Sequence, residues 1–105
     1  MGERTANVQD GDIGQTIESL AATIHGRRTA SPEASYTAKL LGGPEDKLLK
    51  KVTEEATEVV LACKDRDHDH IRYEAGDLVY HLLVLLERYD VTIDELAGEL
   101  NARMK

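Results

Sequence analysis

The chain has 105 residues, enough for one domain around a single core and too few for two. Hydrophobic residues make up 41% of it, yet Trp and Phe are absent, so the core must be aliphatic, which suits packed helices. A net charge of −7 argues against a nucleic-acid surface, which needs clustered Lys and Arg, so any anionic ligand must be held through local cations.

The lone Cys63 forms no internal disulfide. No apolar run approaches the roughly 18 residues of a membrane span, and no secretory leader opens the chain. A cytoplasmic protein without a membrane partner is expected.

In chain order, residues 1–12 are polar with almost no apolar anchor and read as a flexible arm without chemistry, leaving 13–105 as the domain. Ile13, Ile17, Leu20, Ala21 and Ile24 recur at helical spacing, and this first helix ends in Gly26-Arg27-Arg28. Two basic residues there complement the helix dipole more simply than they contact phosphate. Ser31-Pro32-Glu33 is a connection, and Ser35–Leu41 makes two helical turns before Gly42-Gly43-Pro44 stops it. Pro44, Glu45 and Asp46 open a long helix that runs to Lys64 or Asp65.

On that helix Leu48, Leu49, Val52, Ala56, Val59 and Val60 form an apolar arc, with Glu55 at its edge pointing toward the core. The polar stretch Asp65–His70 reads as a short turn that returns the next helix antiparallel; His68 and His70 are expected to be solvated there rather than to bind a metal. From Ile71 to Tyr89 an arc of Ile71, Ala75, Leu78, Val79, Leu82, Leu85 and Leu86 carries Glu74, Asp77 and His81 beside it. This helix is apolar nearly all round, so burial against a second copy is expected. Gly76 suggests a close helix approach. Thr92 and Glu95 form a capping box for a last helix with the stripe Leu96, Leu100 and Met104, near whose end Arg103 either caps or reaches a ligand. The fold class is therefore all-α, an antiparallel bundle of about four to five helices completed by dimerisation.

Two matched pairs, Glu55-x-x-Glu58 and Glu74-x-x-Asp77, dominate this pattern. Residues three apart share a helix face, so two antiparallel helices would converge four carboxylates on one point. Too few Lys and Arg interrupt these faces to pair with them all, and unpaired buried carboxylates are strongly disfavoured. A hard divalent cation is the economical partner, with Glu55, Glu58, Glu74 and Asp77 as ligands. Glu54 is a candidate base or water-orienting group. Lys47 and Lys51, one turn apart, either hold phosphates or make salt bridges, the phosphate reading being favoured, whereas Lys50 falls elsewhere on the wheel and is expected to be solvated.

The segments SYTAKLL (Ser35–Leu41), KLLKKVTEEATEVVLA (Lys47–Ala62) and YEAGDLVYHLLVLL (Tyr73–Leu86), with terminal Leu100-Asn101-Ala102-Arg103, resemble the phosphoribosyl-ATP pyrophosphatases, within the wider superfamily of all-α nucleotide pyrophosphohydrolases. The resemblance implies Mg2+-dependent hydrolysis of phosphoribosyl-ATP to phosphoribosyl-AMP and pyrophosphate, in the second step of histidine biosynthesis, by a homodimer. With that substrate the candidate binding groups are Lys47, Lys51, Tyr36, Thr37, Lys39, His81 and Arg103, and the catalytic set is Glu54, Glu55 and Glu58.

The alternative within the same superfamily is a house-cleaning nucleoside triphosphate pyrophosphohydrolase. A helical interaction module would not explain acids at the edge of apolar arcs, and a di-iron carboxylate protein would want Glu-x-x-His pairs that the chain lacks.

Overall fold

A computed structural model describes residues 5–104. Their regular elements are all helical: α1 (Ile13–Gly26), a 3-10 turn (Arg27–Thr29), α2 (Tyr36–Gly42), α3 (Glu45–Lys64), α4 (His68–Arg88) and α5 (Ile93–Arg103). The first four residues of the expected arm lie outside the described part; residues 5–12 are exposed and enter no helix or strand.

Local chemistry sets most boundaries. Asp12 accepts from the Gln15 amide at 3.0 Å and Ser35 from the Ala38 amide at 3.1 Å, each satisfying a donor that the helix start leaves open. Pro44 precedes α3, whose first turn carries Glu45 and Asp46. The expected capping box is present: Glu95 donates its amide to Thr92 Oγ1 at 3.1 Å, and its carboxylate accepts from the Thr92 amide at 2.9 Å. A Cβ on Gly43 would lie 2.6 Å from the Lys39 carbonyl oxygen, so only glycine fits the end of α2. Gly76 differs from expectation, because a Cβ there would meet nothing within 4 Å.

One boundary departs from the sequence reading. Asp67 accepts from the His70 amide at 3.2 Å and so caps α4 three residues before Ile71, which puts His68 and His70 on the helix rather than in a turn. The connection shrinks to Asp65-Arg66-Asp67, with Arg66 in the left-handed region at φ 56°. So short a link returns α4 antiparallel to α3, and the two form the principal packed pair.

α1 and α2 lie against α4, and α2 also touches α3. The buried apolar cluster is Ile24, Leu40, Leu48, Leu83 and Val84, drawn from all four helices, with Ile17, Leu20, Leu41, Tyr80, Leu85 and Ile93 around it. It sits where the start of α3 meets the end of α4. Arg28 ties the 3-10 turn to that end, donating to the Glu87 carboxylate, to the Glu87 carbonyl at 2.5 Å and to Asp90 at 2.8 Å. Arg28 is thus a structural tether rather than a phosphate contact.

The helical-wheel arcs hold only in part. Leu48 and Ala62 are buried on α3, with Val52 and Val59 half-buried, but Val60 is 60% exposed and Leu49 and Ala56 are exposed. On α4, Leu83 and Val84 are buried while Val79 and Leu82, assigned to the core arc, face solvent. Each helix carries more apolar surface than its neighbours in this chain cover, and periodicity does not say which face meets the neighbouring helix.

Candidate metal centre and cleft

The face that does meet the neighbour follows alternating steps of three and four residues. On α3 it is Leu48, Lys51, Glu55, Glu58 and Ala62; on α4 it is His70, Glu74, Asp77, His81 and Val84, and each of these is buried or half-buried. Such spacing keeps a seam turned toward a packed partner. Antiparallel pairing sets Leu48 at the Val84 end and Ala62 at the His70 end. The middle of the seam is polar: Glu55, expected at the edge of an apolar arc, lies at its centre, 7% exposed, and Glu74 is 1% exposed.

Two ligand groups result. Glu55, Glu74 and Asp77 bring one donor atom each to within 4.8 Å of one another, and Glu58, His70 and Glu74 do the same. Glu74 belongs to both. The four expected carboxylates therefore fall into two groups joined by Glu74, with Glu58 beside His70 rather than with Glu55 and Asp77, and these side chains could hold a metal ion. Burial, and then the nearby Asp77 and Glu74 carboxylates, push the Glu55 carboxyl above the usual carboxylate range, while Lys51, with its ammonium 3.6 Å from Glu55, and His81 work the other way. The electrostatic frustration is centred on a group of oxygen donors, which suits a hard cation.

Next to this seam opens a cleft of 640 Å³. Glu54, Glu55, Glu58, Glu74 and Asp77 line it together with Tyr36, Lys51 and His81, so most sequence-derived candidates share one cavity. His81 is fixed from both sides. Its Nδ1–H donates to the Asp77 carbonyl at 2.8 Å, and its Nε2 lies 3.1 Å from the Tyr36 hydroxyl. Burial raises the Tyr36 phenol above its ordinary range, aided by Tyr80, Glu55 and Asp77 and opposed by Lys51.

Four candidates lie elsewhere. Lys47 and Lys39 are exposed and do not line the cleft. Thr37 bonds through its hydroxyl to Tyr80, bracing α2 on α4, and Arg103 donates to Glu99 at 2.9 Å on the exposed last helix. Conversely, Lys50, expected to be solvated away from the site, lines the cleft with Thr53 and Thr57. These three share a flank of α3 with Glu54, a phase legible in the sequence once Glu54 is taken as a cleft residue. His70 was also misplaced: it is buried, and the step of four to Glu74 was the signal that could have found it.

Among the described residues no helix is long and apolar enough to cross a membrane. The family model for phosphoribosyl-ATP pyrophosphohydrolase matches residues 17–104. The chain is 46% identical over 87 residues to a phosphoribosyl-ATP pyrophosphatase of Nitrosomonas eutropha, covering 83% of this chain and 74% of that protein. It is 45% identical over 94 residues to one of Haloarcula marismortui, covering 88% and 96%. A third relative, the histidine biosynthesis bifunctional protein HisIE of Bacillus subtilis, is 44% identical over 87 residues, covering 83% of this chain but 42% of that longer protein. With its carboxylate seam and cleft inside the matched region, the chain belongs to the phosphoribosyl-ATP pyrophosphohydrolase family.

Proposed function

We propose that this chain hydrolyses the α–β phosphoanhydride of phosphoribosyl-ATP, releasing pyrophosphate and phosphoribosyl-AMP in the second step of histidine biosynthesis. The observation that carries the reading is the buried Glu55, Glu74 and Asp77 group beside an open cleft, in a chain whose relatives are named for this reaction.

Glu55, Glu58, Glu74 and Asp77 would hold Mg2+. The donor set fits, being oxygen-only in the Glu55, Glu74 and Asp77 group and short of compensating cations. Bound there, Mg2+ would reverse the local negative charge and polarise phosphate oxygens. The protein's own part is to bind and to orient. Lys50 and Lys51 on the cleft wall supply positive charge for the polyphosphate. Glu54, exposed on the same wall, is the acid placed to orient water and accept its proton as it adds to phosphorus. Tyr36 and His81 form the rigid opposite corner. No nucleophilic side chain is required, since water addition and pyrophosphate departure need no covalent intermediate.

The domain proper is residues 13–105, the preceding arm lying outside the catalytic unit, and its biosynthetic role places it in the cytoplasm. It works as a homodimer. Val60, Leu61, Val79 and Leu82 expose apolar surface on the two central helices, and a second copy covers it. Pyrophosphate release measured across phosphoribosyl-ATP and the common nucleoside triphosphates, with Mg2+ and with EDTA, tests the reading. Release from phosphoribosyl-ATP alone, lost in EDTA, is expected; preference for an ordinary triphosphate would overturn the substrate, and full activity in EDTA the metal.

A further inference from the structure

We propose that His70 is a positioning residue for the metal site, holding the Glu74 carboxylate in its orientation toward the Glu55 and Asp77 ligand oxygens. The inference rests on the reading that a divalent ion binds at these carboxylates.

His70 Nε2 lies 2.9 Å from Glu74 Oε2, one helical turn away on α4. The two side chains are 10% and 1% exposed. An ionised carboxylate only accepts hydrogen bonds, so the imidazole must carry its proton on Nε2 and donate it. Glu74 needs such a donor more than any other acid of the seam, because at this burial bulk water cannot orient it and an unsatisfied carboxylate is costly. One donor on Oε2 fixes the plane of the carboxylate, and with it the direction of Oε1.

Glu74 is also the residue common to the two groups, Glu55–Glu74–Asp77 and Glu58–His70–Glu74. An error in its rotation would displace the oxygen it brings beside Glu55 and Asp77. His70 is itself held: its backbone amide donates to the Asp67 side chain at 3.2 Å in the cap of α4. The cap thus holds the backbone from which the imidazole projects, and the imidazole donates to the shared carboxylate. Hydrogen bonds to ligating groups commonly control affinity by about 10–100-fold.

The experiment compares His70→Gln with His70→Asn. Both are polar amides, but only Gln extends an N–H to where Nε2 stood; Asn ends one methylene short. Mn2+ binding is measured by calorimetry on the full chain without substrate, alongside thermal midpoints in EDTA. The expected result is Mn2+ affinity within about threefold of wild type for Gln and a loss of about tenfold or more for Asn, at similar midpoints. Wild-type affinity in the Asn variant, or equal weakening in both, would overturn the positioning role. Absence of Mn2+ binding to the wild type would instead remove the ion reading itself, and this inference with it.

A second measurement needs no variant. In wild-type protein carrying 15N-histidine, Nε2 of His70 must remain protonated as Mg2+ saturates the site. Loss of that proton on ion binding would make His70 a ligand and overturn the inference.

Discussion

Glu55→Gln removes one negative charge from the centre of the α3–α4 seam while keeping nearly the same shape. The Glu55 donor oxygen lies within 4.8 Å of those of Glu74 and Asp77. At an effective dielectric of about 20, a like-charge pair at that distance repels by about 3.5 kcal/mol. Lys51 offsets part of this, but its side chain is 37% exposed and its contribution is correspondingly screened. Burial first, and the neighbouring carboxylates after it, raise the Glu55 carboxyl from 4.5, so the wild type sheds part of this cost by taking up a proton as pH falls.

After these relaxations a gain of about 1–2 kcal/mol is expected for the variant in EDTA near pH 8, seen as a Tm higher by about 5–15 °C. The sign with pH is defined. Protonated Glu55 contributes stability that is fully present below the unfolded value and lost as pH rises through the raised folded one. The ion-free wild type therefore weakens as pH climbs above the usual carboxylate range, whereas the variant lacks that limb and the two curves converge in acid. Mg2+ inverts the order, since ion at about 100 times its Kd adds about 2.7 kcal/mol to a protein that binds it. Pyrophosphate release from the variant should fall by about a hundredfold or more. Scanning calorimetry with EDTA or Mg2+ and a coupled pyrophosphate assay measure both. An active variant with wild-type Mg2+ dependence and an unchanged Tm in EDTA would refute the four-carboxylate site at its most central member.

Leu48→Ala, at a position 1% exposed in the apolar cluster, should cost about 2–5 kcal/mol by urea titration. Thr92→Ala breaks the capping box and should cost about 1 kcal/mol, with amide exchange accelerated in α5 before the rest of the chain. For Glu87, burial pushes the carboxyl up, but hydrogen bonds from Arg28 and His25 hold it below its ordinary 4.5. Its stabilisation is present above the unfolded value and lost as pH falls through the depressed one. Arg28→Ala should thus cost about 1 kcal/mol above pH 5 and flatten the acid limb of Tm against pH. Val60→Asp should shift the light-scattering mass toward the monomer without destabilising the protomer core; an unchanged mass would take Val60 out of the interface.

Most of the helix positions were readable because their causes are local. The Thr92–Glu95 capping box and the Gly42-Gly43-Pro44 stop each depend on residues within one turn. The paired acids were readable for the same reason, since a spacing of three fixes a shared face whatever surrounds it. Asp67 was the exception: its capping oxygen is as local as the others, but a run of charged residues offers several equivalent starts, and Ile71 appeared to be the first packed residue.

Only tertiary structure decided which face of each helix turns inward. α3 and α4 both carry two apolar faces, and the wheel favoured one through Val60 and Leu82, which remain exposed. The face chosen runs through Glu55, Glu74 and His81, because antiparallel pairing fits its alternating steps of three and four, with the Leu48 and Val84 end closing on the core supplied by α1 and α2. Likewise, the placement of Lys50 in the cleft and of Lys47 outside it depends on the register between helices. Local sequence specifies a helix's periodicity, but the phase at which it packs is a property of the pair.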